Sequence, residues 1–225
     1  MNYLQLCQTL RQEVGATGNG PASVVSQTGE SLRFVNWIQR AYLKVQTSQM
    51  NWRWMHATST LALTLSQQNY AKTDLVASRF GRWDPRNWVV YETAEGVTDA
   101  TKLVRLEYDD FEQRFIHKSV SDGRPKWYAI GPDDSIYIAP APDATGYTLR
   151  FRYWKSADTL SGNTDEPEIP ADYHWIIVYE AMKYHARREA APELMEDAIR
   201  NYDEEEARLM RDQLDPIEFT DETLA

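Results

Sequence analysis

The hydrophobic spacing changes period twice along the chain, from helical to two-residue and back, and this constrains the fold more than any other feature. Leu4, Leu6, Leu10 and Val14 fall near helical spacing and Gly15 stops them, which predicts a helix over 3–14. After a loop rich in Gly, Ser and Thr, Thr28 or Ser31 can cap a second helix. Its stripe Val35, Ile38, Tyr42 and Val45 is spaced three, four and three, with Phe34 and Trp37 beside it. From Trp52 the period becomes two: Leu61, Leu63 and Leu65 alternate with Ala62 and Thr64. Strand segments follow in NWVVYET, TKLVRLEY, PKWYAIGP, SIYIAPAP and YTLRFRYWK, separated by turn signals such as Asp122-Gly123. In the last of these, Tyr147, Leu149, Phe151 and Tyr153 share one face, and Thr148, Arg150, Arg152 and Trp154 share the other. That is the signature of a half-buried antiparallel strand. Between Tyr108 and Phe115, DDFEQRF reads as one or two helical turns.

Helical spacing returns after LSGNTDEPEIP, where Pro167 and Pro170 forbid regular structure and prepare a helix start at Ala171-Asp172. Trp175, Tyr179, Met182 and Ala186 predict a third helix to about Glu189. Pro192 opens a fourth, with Met195, Ile199, Tyr202 and Leu209 as its apolar side and Pro216 as its end. Two helices, five to six strands and two helices predict an α+β, mainly helical protein. Helices from the two ends form a bundle, and an antiparallel β region is inserted between them. The expected divisions are 1–51 and 157–214 for the bundle, 52–156 for the β region, and 215–225 for an extended tail. A chain of 225 residues buries roughly 70% of its unfolded surface, so it needs no disulfide. The lone Cys7 allows none, and it reads as a small apolar residue on the first helix. The start MNYLQLCQTLRQE lacks a basic-then-apolar pattern and no run of about 18 apolar residues occurs. Neither a signal peptide nor a membrane span is expected, and the compartment is expected to be cytosol-like.

Charge is placed unevenly. Residues 1–188 hold 21 acids and 21 bases, whereas 189–225 hold 13 acids and only Arg200, Arg208 and Arg211, so the net −10 belongs to the last 37 residues. An evenly charged body with an acidic end argues against a general nucleic-acid or anionic-membrane binder, since both need clustered cations. Eight Trp and 13 Tyr in a chain of mean hydropathy −0.61 point instead to interfaces, where amphipathic aromatics pack at one end and stay wet at the other.

Catalytic signatures are scarce. His56, His117, His174 and His185 are scattered, with no HExxH, no Cys-His ligand spacing and no GxSxG, so neither a metal, a cofactor nor an enzyme is expected. Asp109-Asp110 and Asp133-Asp134 read as turn or capping acids, because sequence neighbours on a strand or turn point apart. GATGNGP follows a helix rather than a strand and ends in Pro, unlike a phosphate-binding loop. Trp52 and Trp54 in MNWRWMH read as packing where the second helix hands over to the first strand. One segment, RFGRWDPRNW, interleaves Arg79, Arg82 and Arg86 with Phe80, Trp83 and Trp88 around Pro85. It reads as a hairpin tip or long loop, which Arg–Trp stacking rigidifies or docks on a neighbouring subunit. The alternative is a carbohydrate-binding or tail-associated module, with Trp83 and Trp88 as an open platform. A cell-wall enzyme would need a close, buried Glu/Asp pair in a cleft.

The stretch from Pro125 to Ala186 combines a Pro-x-Trp strand, a strand ending in Pro-x-Pro and a Tyr-x-Leu-x-Phe-x-Tyr strand. A Leu-Ser linker and an Ile-Pro before a helix opening Tyr-His-Trp-Ile-Ile follow. In this order these elements resemble the head-to-tail adaptor (connector) proteins of tailed bacteriophages. The first helix with its Gly-rich loop and the FVNWIQRAYLKVQ helix are similar as well, so the resemblance spans about 3–190. It implies a structural virion protein made in the host cytoplasm and placed in the neck between head and tail. There it would form a ring, expected to be a dodecamer, beneath the portal. The ring would extend the channel for double-stranded DNA, without binding it tightly, toward a tail tube or nozzle protein, and its β region, with the loop of Arg79, Arg82, Trp83, Arg86 and Trp88, would face neighbouring subunits and tail proteins. The resemblance further implies that the C-terminal extension docks on the portal, with Ile217, Phe219 and Leu224 as anchors. Asp203, Glu204, Glu205 and Glu206 are then candidates to line the channel, where acids would repel DNA phosphates.

Overall fold

The computed structural model describes residues 1–18 and 20–214. The protein is α+β. Its chain divides into two compact units, one of Met1–Met55 with the described residues from Ala157 onward, the other of His56–Ser156.

The first unit is helical. Helix α1 (Tyr3–Glu13) starts at Asn2, whose side chain accepts from the Gln5 N–H at 2.9 Å while the Gln5 side chain accepts from the Asn2 N–H at 2.9 Å. This reciprocal box satisfies two donors that a helix start leaves orphaned. Helix α2 (Gly29–Ser48) follows Thr28, which makes no side-chain cap bond. Its expected stripe is buried, with Phe34, Ile38, Tyr42 and Val45 fully so. In the other half of this unit, Asp165 ties the polar LSGNTDEP stretch into a turn by accepting from the Ser161 and Gly162 N–H groups at 2.7 and 2.8 Å.

Numbered in chain order, the second unit holds strands β1 (His56–Ala62) and β2 (Asn69–Tyr70), then helix α3 (Lys72–Leu75) and strand β3 (Phe80–Glu92). Strands β4 (Thr101–Lys102) and β5 (Val104–Arg105) follow, then helix α4 (Tyr108–Phe111), which runs into a π-helical turn over Glu112–Ile116. Strands β6 (Trp127–Ile130), β7 (Ile136–Ala139) and β8 (Tyr147–Lys155) complete the unit. One sheet has the order β1-β8-β3-β4 and the other β2-β7-β6-β5. Trp83, Trp88, Val90, Leu149 and Phe151 from the first sheet share a core with Tyr70, Tyr128, Ile136 and Ile138 from the second. The outer side of the second sheet packs Ala129 and Ala139 against Phe111 of α4, with Phe115 and Tyr137 beside them. The apolar runs of β6 and β7 follow from that arrangement, because a strand covered on both faces needs no polar alternation.

Back in the helical unit, α5 (Trp175–Glu189) and α6 (Pro192–Gln213) complete the bundle, Pro192 taking the first helical position where its missing N–H is harmless. Helix α5 packs against α1, α2 and α6. Two expected stripes are corrected here. On α5, Trp175 is exposed while Ile176, Ile177, Val178 and Ala181 are buried; on α6, Ile199 is exposed and Ala198 takes its place in the core.

Candidate interaction surfaces

The expectation of a loop over 79–88 is corrected: from Phe80 the segment is strand β3. Pro85 fits because the pairing of β3 with β8 is broken between Asp84 and Val89, and a bulge leaves the proline no ladder bond to lose. Asn87, at φ +58°, adopts the left-handed conformation that asparagine tolerates best after glycine. Trp88 is fully buried and stacks on Tyr128 with centroids 4.5 Å apart. Its indole N–H donates to the Asp84 carbonyl. Trp83 is 6% exposed and donates to the Asp134 carbonyl at 2.9 Å. The two indoles are therefore core residues, and they form no open platform for a sugar. The arginines of the segment keep surface. Arg86 is exposed, Arg82 lies over the Trp154 ring at 5.0 Å, and Arg79 donates to the Ser156 carbonyl at 3.0 Å.

Asp84 anchors this bulge. It is 2% exposed and accepts from Arg86 Nε at 2.8 Å, with His56 Nε2 at 2.9 Å. Burial pushes its carboxyl up, but the bonds and charge of Arg86 and the His56 bond together outweigh burial and hold it below the usual carboxylate range. Beside the bulge, an open cleft of about 620 Å³ is lined by Pro85, Arg86, Asn87 and the segment from Lys102 to Arg105. Arg86 and Arg105 already pair with Asp84 and Glu107 there, the latter at 3.3 Å.

On α6 the four acids divide. Asp203 and Glu204 are exposed, whereas Glu205 accepts from Arg208 at 2.6 Å and Glu206 from the Tyr202 hydroxyl at 3.0 Å. Ile217, Phe219 and Leu224 lie outside the described residues. Asp109 and Asp110 sit in the first turn of α4, and Asp133 accepts from Ser135 in a turn. Among the described residues no group of three or more His, Cys, Asp or Glu could hold a metal, and no helix is long and apolar enough to cross a membrane. Cys7 is fully buried, which raises its thiol to about 12.

Two features escaped the sequence reading. Glu180 of α5 is 1% exposed, with Lys44 of α2 at 2.7 Å and Lys183 on its other oxygen; Lys183 Nζ in turn lies 3.5 Å from the Tyr202 ring centroid of α6. This one carboxylate thus ties three helices, and its signal was a lone acid within WIIVYEAM. Arg150 and Arg152 of β8 lie on the sheet face opposite Leu149 and Phe151, without an ion pair to a described residue. Their alternation was visible, but nothing marked the face they share as a surface.

Compared with known protein families, the chain matches the model of the SU10 adaptor protein over residues 1–217. No curated protein matches it.

Proposed function

The chain belongs to the SU10 adaptor protein family, phage head-to-tail adaptors that are structural proteins and not enzymes, and from that premise we propose where and how it acts. It assembles with copies of itself, as a dodecamer, into a ring beneath the portal in the virion neck. The ring extends the DNA channel and presents its far side to a tail tube or nozzle protein. The observation that carries this reading is the family match across 217 of the chain's 225 residues. The even charge of residues 1–188 supports it as well, since a wall past which DNA slides should not grip phosphate. Asp203 and Glu204 are the lumen candidates, because Glu205 and Glu206 are engaged within their own helix. Arg82 and Arg86 are the contact candidates left by the burial of Trp83 and Trp88.

The test is to mix the purified chain with the portal of its phage and examine the product by size-exclusion chromatography and electron microscopy. A ring on the portal is expected, and linear duplex DNA should not be retained by the chain in a band shift at physiological salt. A chain that never binds the portal, or that shifts DNA, overturns the reading.

A further inference from the structure

The first sheet turns one face to the core and the other away from it. Cross-strand partners point to the same side, and the register aligns Thr60 of β1, Arg150 of β8, Val89 of β3 and Lys102 of β4 in one row across all four strands. The neighbouring row sets Thr58 beside Arg152 and Asp84. Leu149 and Phe151, which alternate with the two arginines, belong to the core between the sheets, so both rows lie on the outer face. Lys102 stands two strand spacings from Arg150, about 10 Å, and Arg152 two residues along β8, about 7 Å. Arg150 and Lys102 are exposed and Arg152 is half-buried; none of the three makes an ion pair to a described residue. Asp84 is the one carboxylate of these rows, and it is buried and bonded to Arg86 and His56. The outer face therefore presents three cations and no accessible acid.

The acids that would match them are in the same unit. Residues 56–156 hold 13 Lys or Arg and 13 Asp or Glu, so cations left over on one side leave acids over on another. Helix α4 packs on the outer side of the second sheet through Phe111, with the Tyr108 ring edge-on to Tyr137 at 5.2 Å. Asp109 and Asp110, between those two anchors, turn away from the unit; both are exposed and neither pairs with a described cation. Their neighbours are occupied, Glu107 with Arg105 at 3.3 Å and Glu112 with His117 at 4.0 Å. Gln113, four residues after Asp109, is exposed as well, and Arg114 and Lys118 follow it in the chain.

The layers run in the order basic face, first sheet, core, second sheet, α4. The unpaired cations and the unpaired acids thus lie on opposite sides of one unit, where they cannot meet within a copy but can meet between copies. Duplex DNA is the other polyanion that a basic face can receive, yet it would leave Asp109 and Asp110 without a counterpart.

We propose that the outer face of the first sheet, with Arg150, Arg152 and Lys102, docks the α4 side of a second copy, with Asp109 and Asp110 set against the three cations. The two surfaces differ, so the contact is heterologous. They lie on opposite sides of the unit, so each copy gives one and receives the other, as a closed ring requires. The inference rests on the proposed ring and names one of its joints.

A full-length variant with two new thiols tests it: Thr60→Cys in the row of Arg150 and Gln113→Cys beside the acids, treated on the portal with a short bis-maleimide cross-linker. Cys7, buried, stays silent. A ladder of linked oligomers is expected in denaturing electrophoresis, and unlinked chain from either single-cysteine variant. The linked fraction should fall at least about tenfold when Arg150→Glu and Arg152→Glu are added. Mixing then shows whether charge is the cause. A Thr60→Cys chain carrying Arg150→Glu and Arg152→Glu should link to a Gln113→Cys chain carrying Asp109→Lys and Asp110→Lys at the original yield, a rescue that misfolding could not produce. No ladder, dimers from one single-cysteine variant, yields indifferent to the charge changes, or shielding of the Thr60→Cys thiol by duplex DNA or a tail protein instead of a second copy overturns the proposal. A ring on the portal whose thiols stay unlinked removes the inference and leaves the adaptor reading standing. A ladder from a chain that never binds the portal does the reverse.

Discussion

Trp88 and Asp84 hold the bulge of β3 together: the indole fills the core between the two sheets, and the carboxylate gathers Arg86 and His56. Trp88→Ala is expected to destabilise the protein by about 3–5 kcal/mol, read from urea unfolding followed by circular dichroism. A loss within the range of surface substitutions would show that the indole is not a core residue. Because the Asp84 carboxyl is held below its unfolded value, the stability it contributes is present above about pH 4 and lost as the pH falls through the folded value. At this scale the sequence showed that Arg and Trp alternate around Pro85, but not which of them would be buried. That was decided by the break in register between Asp84 and Val89, a property of the pairing with β8, which lies some sixty residues further on in the chain.

Helix α5 shows why element boundaries were easier to read than element faces. It packs against three helices, so its apolar residues surround it and periodicity selects no single stripe; the large aromatics Trp175 and Tyr179 suggested a face that Ile177 and Ala181 occupy instead. The same packing places His185 against α2, stacked on Phe34 at 6.0 Å and edge-on to Trp37 at 5.7 Å. Burial pushes His185 below the usual histidine value, with Glu189 and Glu30 working against that shift and Arg188 with it. His174 is lowered too, by burial and by the Met1 ammonium 2.6 Å away. A histidine held neutral contributes stability that is present above about pH 6.5 and is lost as the pH falls through its folded value. The thermal midpoint is therefore expected to drop between about pH 7 and pH 5, and His185→Phe to reduce that slope. An unchanged slope in the variant would assign the pH dependence elsewhere.

For the whole molecule, charge is the property that connects the chain to its assembly. If ion pairs join the copies in the proposed ring, salt must weaken the joint. Raising ionic strength from about 0.1 M to 1 M shortens the screening length from about 10 Å to about 3 Å. Sedimentation velocity should then shift toward the single chain, whereas an unchanged distribution would mean that apolar contacts carry the assembly. The alternation of helical and two-residue periods, together with the prolines at 167, 170 and 192, determined the α+β class and the order of the elements. Those signals act over a few residues and need no distant partner. The location of the acidic excess after residue 188 was equally a matter of counting. Only the tertiary structure decided that the strands divide into two sheets, that Trp83 and Trp88 face inward, and that Glu180 joins the packing of three helices. Each of these depends on which segments meet across long stretches of chain, and a periodic pattern states that a face will be covered without stating by what.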